Sequence, residues 1–519
     1  MKTSYYIIFR LVIVAMLTGI LLGTISCTSN FDEINTDKTK VSTLGPTEIS
    51  YLFAKAQSSA TLPYWYYQVG QNLFADQYAQ YFACVATYFP SDRFVIRMDW
   101  LASPWSSQYT EVVPQLKSIL ANTDSTSAEN AIARIWWVWS FHRWTDYVGP
   151  IPYFKAGEPA ISVAYDAQDK IYDDFFKQLD VSVVILKTKT GTKPYESFDL
   201  IYGGDVSKWI KFANTLRLRL ALRISKVDPT RAKSEAEAAV SNGVFQISPT
   251  DDALIQRSTK GQDYNGLSIM SDWNEFRMSA SMESVLKGYE DPRIGEYFMP
   301  TVKTGTYEGL RNGLKTTQLT ELVNTADYTS HVGERWNASA GLETSQNVMC
   351  TAEAYFLLAE GALNGWSMGG TAKDFYEKGI ENSMKQWGIT DAAAIATYTN
   401  STKTPIAPGD YLNSTALSSI PVKFNTTDTE VQREQIATQK WLAIFPDGFE
   451  GWAEYRRTRY PKLYPVPNSD NPDIPAGGVL RRIPFLDVEK QTNGTEVEKA
   501  KTLLGGEDKV TTPLWWDKN

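Results

Sequence analysis

The sequence predicts a mainly α-helical protein in which long irregular loops interrupt a helical scaffold. Apolar residues recur at helical spacing in two blocks, one over 131–241 and one beginning near Asn347. Between and after these blocks run stretches rich in Gly, Thr, Asn, Pro and Tyr with little helical period, at 243–346, 388–427 and 460–519. A composition of 43% hydrophobic and 21% charged residues over 519 positions suits a globular chain able to bury a large core.

At the N-terminus, Lys2 and Arg10 precede an apolar run from Leu11 to Leu22. As a helix that run spans about 18 Å, short of a hydrocarbon core of about 30 Å, so it reads as a cleaved signal. Gly23, Thr24, Ile25 and Ser26 lead into Cys27. The arrangement resembles a lipobox, with Thr24 where Leu is usual, and makes Cys27 the expected lipidation site at the new N-terminus. Acylation would anchor a water-soluble body, since each buried CH₂ contributes about 0.8 kcal/mol. The expected division is a signal peptide of lipoprotein type over 1–26, a lipidated tether over 27–45 and a single domain over 46–519.

The first helical block contains a helix over 131–147 that carries Ile132, Ile135, Trp136 and Trp139, and a second over 170–186. A third begins at Lys208, with Trp209, Phe212, Leu216 and Leu220 as its stripe, and stops before Asp228-Pro229. A short Ala-rich helix over 231–241 ends near Gly243, a C-cap-like position. In the second block, 348–363 and 372–387 form a helix pair broken at Asn364-Gly365. Ala372, Tyr376 and Gly379 match the spacing of the second helix of a tetratricopeptide repeat, and Ala232, Ala236 and Ala239 repeat that spacing. The period is irregular, so degenerate tetratricopeptide-like pairs are expected rather than a continuous solenoid.

Charge and residue usage remove several function classes. With 51 Lys and Arg against 59 Asp and Glu, the net charge is −8, and there is no basic run, so nucleic acid is excluded as a partner. The only histidines are His142 and His331, which leaves few proton shuttles or metal ligands. His142 reads as structural, at a helix end. Cys84 and Cys350 are compatible with a disulfide or with two buried thiols. No HExxH, GxSxG, phosphate loop or EF-hand loop is present. The acidic pairs Asp173-Asp174, Asp251-Asp252 and Glu290-Asp291 are sequence neighbours, which does not place two carboxylates across a glycosidic bond. The expectation is a protein that is not an enzyme and uses no cofactor and no catalytic metal.

What remains is aromatic: 16 Trp and 28 Tyr, most of them required for the core. Two segments also carry polar partners beside their rings. One holds Tyr88, Phe89, Arg93, Trp100 and Trp105, the other Tyr264, Trp273 and Arg277, and a further cluster runs Tyr64-Trp65-Tyr66-Tyr67. A sugar packs its C–H face on a flat ring and needs polar groups for its hydroxyls. Tyr88, Arg93, Trp100, Trp105, Tyr264, Trp273 and Arg277 are therefore the candidate ligand-binding residues, with Trp100, Trp105 and Trp273 the stacking candidates. Arg456-Arg457 reads as structural, one of them pairing with an interior carboxylate such as Glu454.

Several strings, in order along the chain, carry a resemblance. They are Phe31-Asp32-Glu33-Ile34-Asn35-Thr36-Asp37 after the cysteine, Thr145-Asp146-Tyr147-Val148-Gly149-Pro150, Phe212-Ala213-Asn214-Thr215-Leu216-Arg217, and Asp291-Pro292-Arg293. Lys440-Trp441-Leu442, Gly451-Trp452-Ala453-Glu454-Tyr455-Arg456-Arg457, Tyr460-Pro461 and Leu514-Trp515-Trp516-Asp517 complete the set. Together they resemble the SusD/RagB family of outer-membrane nutrient-binding lipoproteins, from the signal to the last residues. The resemblance implies one α-rich SusD-like domain with a tetratricopeptide-like scaffold and long irregular ligand-binding loops. It further implies a surface-exposed, lipid-anchored position in the outer membrane and a SusC-like TonB-dependent β-barrel partner. The implied ligand is an oligosaccharide or, less often, a peptide; the alternative reading of the residues is a helical-repeat scaffold protein without a small-molecule ligand.

Overall fold

The computed structural model describes residues 6–9 and 44–518. Cys27 and the string Phe31–Asp37 lie outside the described residues. Residues 6–9 form one exposed helical turn, and a compact unit runs from Ile49 onward.

Helices of ten or more residues are numbered here. The first three are α1 (Pro46–Ala60), α2 (Met98–Ser107) and α3 (Val113–Asn122). The first predicted block follows as α4 (Ala128–Val148), α5 (Gln168–Lys187), α6 (Val206–Arg223) and α7 (Pro229–Asn242). Local chemistry sets their ends. The Ser127 hydroxyl accepts from the Asn130 N–H at the start of α4. At its far end Gly149, at φ +101°, donates its N–H back to the Thr145 carbonyl. Asp205 and Asp228 cap α6 and α7, and Pro229 occupies the first turn of α7, where a missing N–H costs nothing.

Within the stretch expected to be irregular lies α8 (Ala280–Tyr289), closed by Asp291-Pro292-Arg293. The second block gives α9 (Thr351–Leu363), α10 (Ala372–Gln386), α11 (Thr429–Ala443) and α12 (Gly448–Thr458). Helix α9 starts later than its apolar pattern suggests, because Gln346–Met349 is strand β4. It pairs antiparallel with β2 (Ala253–Ile255), while β1 (Phe82–Cys84) pairs antiparallel with β3 (Phe276–Met278). Strands of three or four residues are too short for a two-residue period to be read from sequence.

The scaffold is built of helix pairs, α4 against α5, α6 against α7 and α9 against α10, with α11 packed on α9. The architecture is therefore mainly helical and tetratricopeptide-like. Helix α4 is buried on almost every side, with Trp136 and Trp139 stacked at 4.4 Å. His142 sits inside this helix rather than at its end, its ring nitrogen 2.5 Å from the Trp139 carbonyl.

The scaffold is tied together by buried charge. Arg219 on α6 grips Glu353 on α9 through two bonds of 2.8 and 2.6 Å. One turn on, Arg223 reaches Glu454 at 2.7 Å and Glu450 at 2.6 Å, both on α12, and Asp146 on α4 at 3.3 Å. Lys440 on α11 sits 3.0 Å from Glu454, and Arg457 bridges Glu454 and Glu360 at 2.7 and 2.6 Å. Arg456 takes a different course. Its guanidinium lies 3.6 Å over the Trp452 ring, and burial pushes its pKa down to about 9. Cys84 and Cys350 are buried free thiols.

Candidate ligand-binding face

The β1–β3 ladder positions the candidate face. In an antiparallel pair, the residues leaving one strand run beside those entering the other. The loop after β1, at 85–89, thus lies against the loop before β3, at 273–275, and the Val85 and Ala86 N–H groups both donate to the Glu275 carbonyl. Phe82 packs edge-on to Phe276 at 4.9 Å beneath them, and Phe445 meets Phe82, Tyr297, Trp336 and Trp387 below. This aromatic floor is rigid and leaves the loops above it to carry side chains outward.

Glu275 is the junction of those loops. Its carboxylate accepts from the Tyr88 hydroxyl at 2.7 Å and from the Gln68 amide at 2.5 Å. Burial raises its pKa and the two donors act against that rise. Partial burial and the carboxylate together push the Tyr88 phenol up to about 12, so it stays protonated and donates at any physiological pH. Asn274 adopts a left-handed conformation, φ 57°, at the turn between Trp273 and Glu275.

Rings surround this junction. Tyr88 is 65% exposed and meets Phe89 edge-on at 4.6 Å, and Phe89 meets Trp100 edge-on at 5.3 Å. The Arg97 guanidinium lies over Trp100 at 4.2 Å and is forked to Asp99 at 2.9 and 2.6 Å. Just before Gln68, Trp65 stacks on Tyr66 at 4.6 Å, and Trp65 is 37% exposed. Trp273 is 38% exposed. Tyr264 lies edge-on to Tyr64 at 5.6 Å and accepts the Tyr64 N–H on its carbonyl. This close approach needs Gly266, because a Cβ there would fall 2.1 Å from the Tyr67 Cβ.

The sequence-derived residues thus divide. Tyr88, Trp100, Tyr264 and Trp273 stand on or beside the face. Trp105 is 1% exposed; it packs on Trp144 and donates to Glu489 at 3.0 Å, so it has no ring face open to a ligand. Arg93 is buried and bound to Asp470 at 2.6 Å and to the Leu314 carbonyl. Arg277 is buried, donates to the Asn274 side chain and to the Phe276 and Ala326 carbonyls, and lines a cleft of about 490 Å³ with Asp272, Asp327 and His331. Helical burial and side-chain partners cannot be read from local composition, which is why Trp105 and Arg93 looked equivalent to Trp100. Sequence reasoning missed Glu275 and Gln68, whose only signal is a polar residue among rings.

Each residue of the acidic pairs has a polar partner, Arg231 for Asp173 and Lys403 for Glu290 among them. Asp174 holds Tyr153, Asp251 holds Lys211, Asp252 holds Ser248 and the Thr351 N–H, and Asp291 forks Arg293. Among the described residues no group of His, Cys, Asp and Glu could hold a metal ion, and no helix is long and apolar enough to cross a membrane.

A family model described as "SusD-like: Susd and RagB outer membrane lipoprotein" matches residues 30–517. This chain belongs to the SusD-like family. Among solved structures, a chitin-binding SusD homologue from Flavobacterium johnsoniae is 36% identical, covering 91% of this chain and 99% of its own at a TM-score of 0.83. A SusD-like protein from Bacteroides thetaiotaomicron is 31% identical with the same coverage and a TM-score of 0.82. A SusD homologue from Bacteroides vulgatus is 33% identical, covering 91% and 98%, also at 0.82. No curated protein matches. The SusD-like strings fall largely on the buried scaffold. Glu454 and Arg457 join the ion cluster, and Trp516 donates to Asp146 at 2.7 Å. Asp517 holds Arg481 and Arg459 at 2.7 and 3.0 Å.

Proposed function

We propose that this protein is a surface lipoprotein that binds oligosaccharide on the Glu275-centred face and passes it to a SusC-like TonB-dependent β-barrel in the outer membrane. The observation that carries the reading is the exposure of Trp65, Tyr88 and Trp273 around a polar junction, on a scaffold that buries most of its other large rings. Flat rings accept sugar C–H faces, while Gln68, Arg97, Asp99 and Glu275 supply partners for hydroxyls. The carboxylates there are engaged, Glu275 by Tyr88 and Gln68 and Asp99 by Arg97, which suits binding rather than acid–base chemistry. The chitin-binding activity of the Flavobacterium johnsoniae homologue supports a glycan as the ligand. Attachment through Cys27 would keep the face at the membrane surface.

The test is a binding screen of the soluble protein lacking Cys27, against chitin oligosaccharides, other glycans and a peptide mixture. Micromolar to millimolar glycan binding is expected, about 4–8 kcal/mol in total, weak enough for release to a transporter. Binding to peptides and to no glycan would replace the ligand class. Affinity purification from gently solubilised outer membrane should recover a large β-barrel protein, and repeated recovery of the lipoprotein alone would remove the partner.

A further inference from the structure

Apart from the aromatic face, a cavity of about 490 Å³ opens where the ends of α9 and α12 and the middle of α11 meet the turn between α6 and α7. Trp366, Ile436 and Ala437 make one part of its wall apolar. The rest is charged, and most of the charge is already matched. Arg457 is held by Glu360 and Glu454 at 2.6 and 2.7 Å, and Glu430 accepts the Tyr460 hydroxyl at 2.6 Å.

Two cations are not matched in this way. Arg433 donates to the neutral Asn364 side chain at 3.0 Å, and Lys226 lies 3.5 Å from the Lys518 backbone oxygen. Neither forms an ion pair with a carboxylate among the described residues. With Arg457 answered by Glu360 and Glu454, the wall keeps two cations without a carboxylate, Lys226 and Arg433, and one carboxylate without a cation among the described residues, Glu430, which leaves one positive charge in excess. Partial burial holds Lys226 below the usual lysine pKa, with Arg457 and Arg459 acting the same way and Asp517 and Glu360 acting against them.

We propose that this cavity binds a single carboxylate carried on an apolar or aromatic body, with Arg433 and Lys226 taking the carboxylate and Trp366, Ile436 and Ala437 taking the body. Arg offers a planar fork that matches a carboxylate, and Lys adds a mobile point charge. One excess positive charge matches one negative charge, whereas a phosphate dianion would also meet Glu360 and Glu430. The volume suits a small aromatic acid or the last residues of a peptide chain. A neutral glycan brings no counter-charge to either cation, and the cavity shares no lining residue with the aromatic face.

Isothermal titration with N-acetyl-tryptophan and with a hexapeptide ending in tryptophan, each compared with its C-terminal amide, tests the assignment. Both acids should bind the soluble protein, and the amides should bind roughly threefold to tenfold more weakly. Arg433→Gln and Lys226→Gln should each weaken the acids by a similar factor and leave the amides and glycan binding unchanged. Tighter binding of the peptide acid than of the amino acid supports a peptide C-terminus as the natural source, and equal binding supports a small acid. Melting curves of both variants check that they fold; should Arg433→Gln fail, Arg433→Lys is expected to retain part of the acid preference. Equal affinity for acid and amide, unchanged acid affinity in both variants, or no binding at about 5 mM acid would each overturn the proposal.

Discussion

Tyr88 donates its hydroxyl proton to Glu275 Oε1 across 2.7 Å and so joins the loop after β1 to the loop before β3. The same carboxylate holds Gln68, three residues beyond Trp65. One side chain thereby links the segments that carry Trp65, Tyr88 and Trp273.

Glu275→Ala should therefore loosen the face without unfolding the protein. Glycan affinity is expected to fall roughly threefold to tenfold, the scale of one or two lost hydrogen bonds, with a melting temperature close to that of the parent. Titration calorimetry with the glycan that binds best, set beside a melting curve, checks this. Unchanged affinity would place the ligand elsewhere.

Ring substitutions should separate face from core. Trp100→Ala and Trp273→Ala should each weaken glycan binding severalfold, at about 1 kcal/mol per stacked ring. Trp105→Ala should instead lower stability by about 3–5 kcal/mol, because it empties a packed site, and leave affinity per folded molecule unchanged. The comparison needs denaturation and binding measured on the same three variants, and the reverse pattern would refute the division of these residues.

The buried ion cluster makes a prediction about stability alone. Glu353→Ala leaves Arg219 buried without its forked partner and is expected to cost about 3–5 kcal/mol. Replacing both, as Arg219→Met with Glu353→Leu, should cost clearly less, since no charge is stranded. Urea denaturation of the three proteins gives the comparison, and equal losses in single and double variants would contradict it.

The pH dependence follows from buried carboxyls whose pKa values are shifted in opposite directions. Burial pushes Asp76 up to about 7, against the hydrogen bonds from Gln71 and Tyr67, and pushes Asp92 up to about 6. Unfolded, both titrate near 4, so above that value the folded state holds more protons and stability falls as pH rises to about 7. For Glu454 burial acts upward, but Arg457, Lys440 and Arg223 outweigh it and hold the carboxyl well below its ordinary value. Its contribution is present above about pH 4 and is lost as pH falls further. Calorimetric melting should thus give a higher midpoint near pH 5 than at pH 7.5, and Asp76→Asn should flatten that slope. A midpoint that climbs steadily to pH 7.5 would rule out the Asp76 assignment.

Much of the scaffold was legible in the sequence because helical order is local. Apolar residues at a 3.6-residue period and capping residues such as Ser127, Asp228 and Gly243 act within a few positions of themselves. Helices α4, α5, α6, α7 and α10 accordingly lie within a few residues of where the pattern puts them. Arg457 and Glu454 are three residues apart on one helix, so their pairing was also open to local reasoning.

The strands, the ion cluster and the face were not, because each is a contact between distant segments. Arg219 and Glu353 are 134 positions apart, and Tyr88 and Glu275 are 187 apart. Composition distinguishes neither Trp105 from Trp100 nor Arg93 from Arg97; what separates them is the partner that packing brings to each, and burial is a property of the assembled chain. The helical scaffold, the family and the supply of aromatic side chains are written in local pattern along the chain. Which of those rings reach solvent together depends on the folded chain, because antiparallel pairing of β1 with β3 brings their loops side by side.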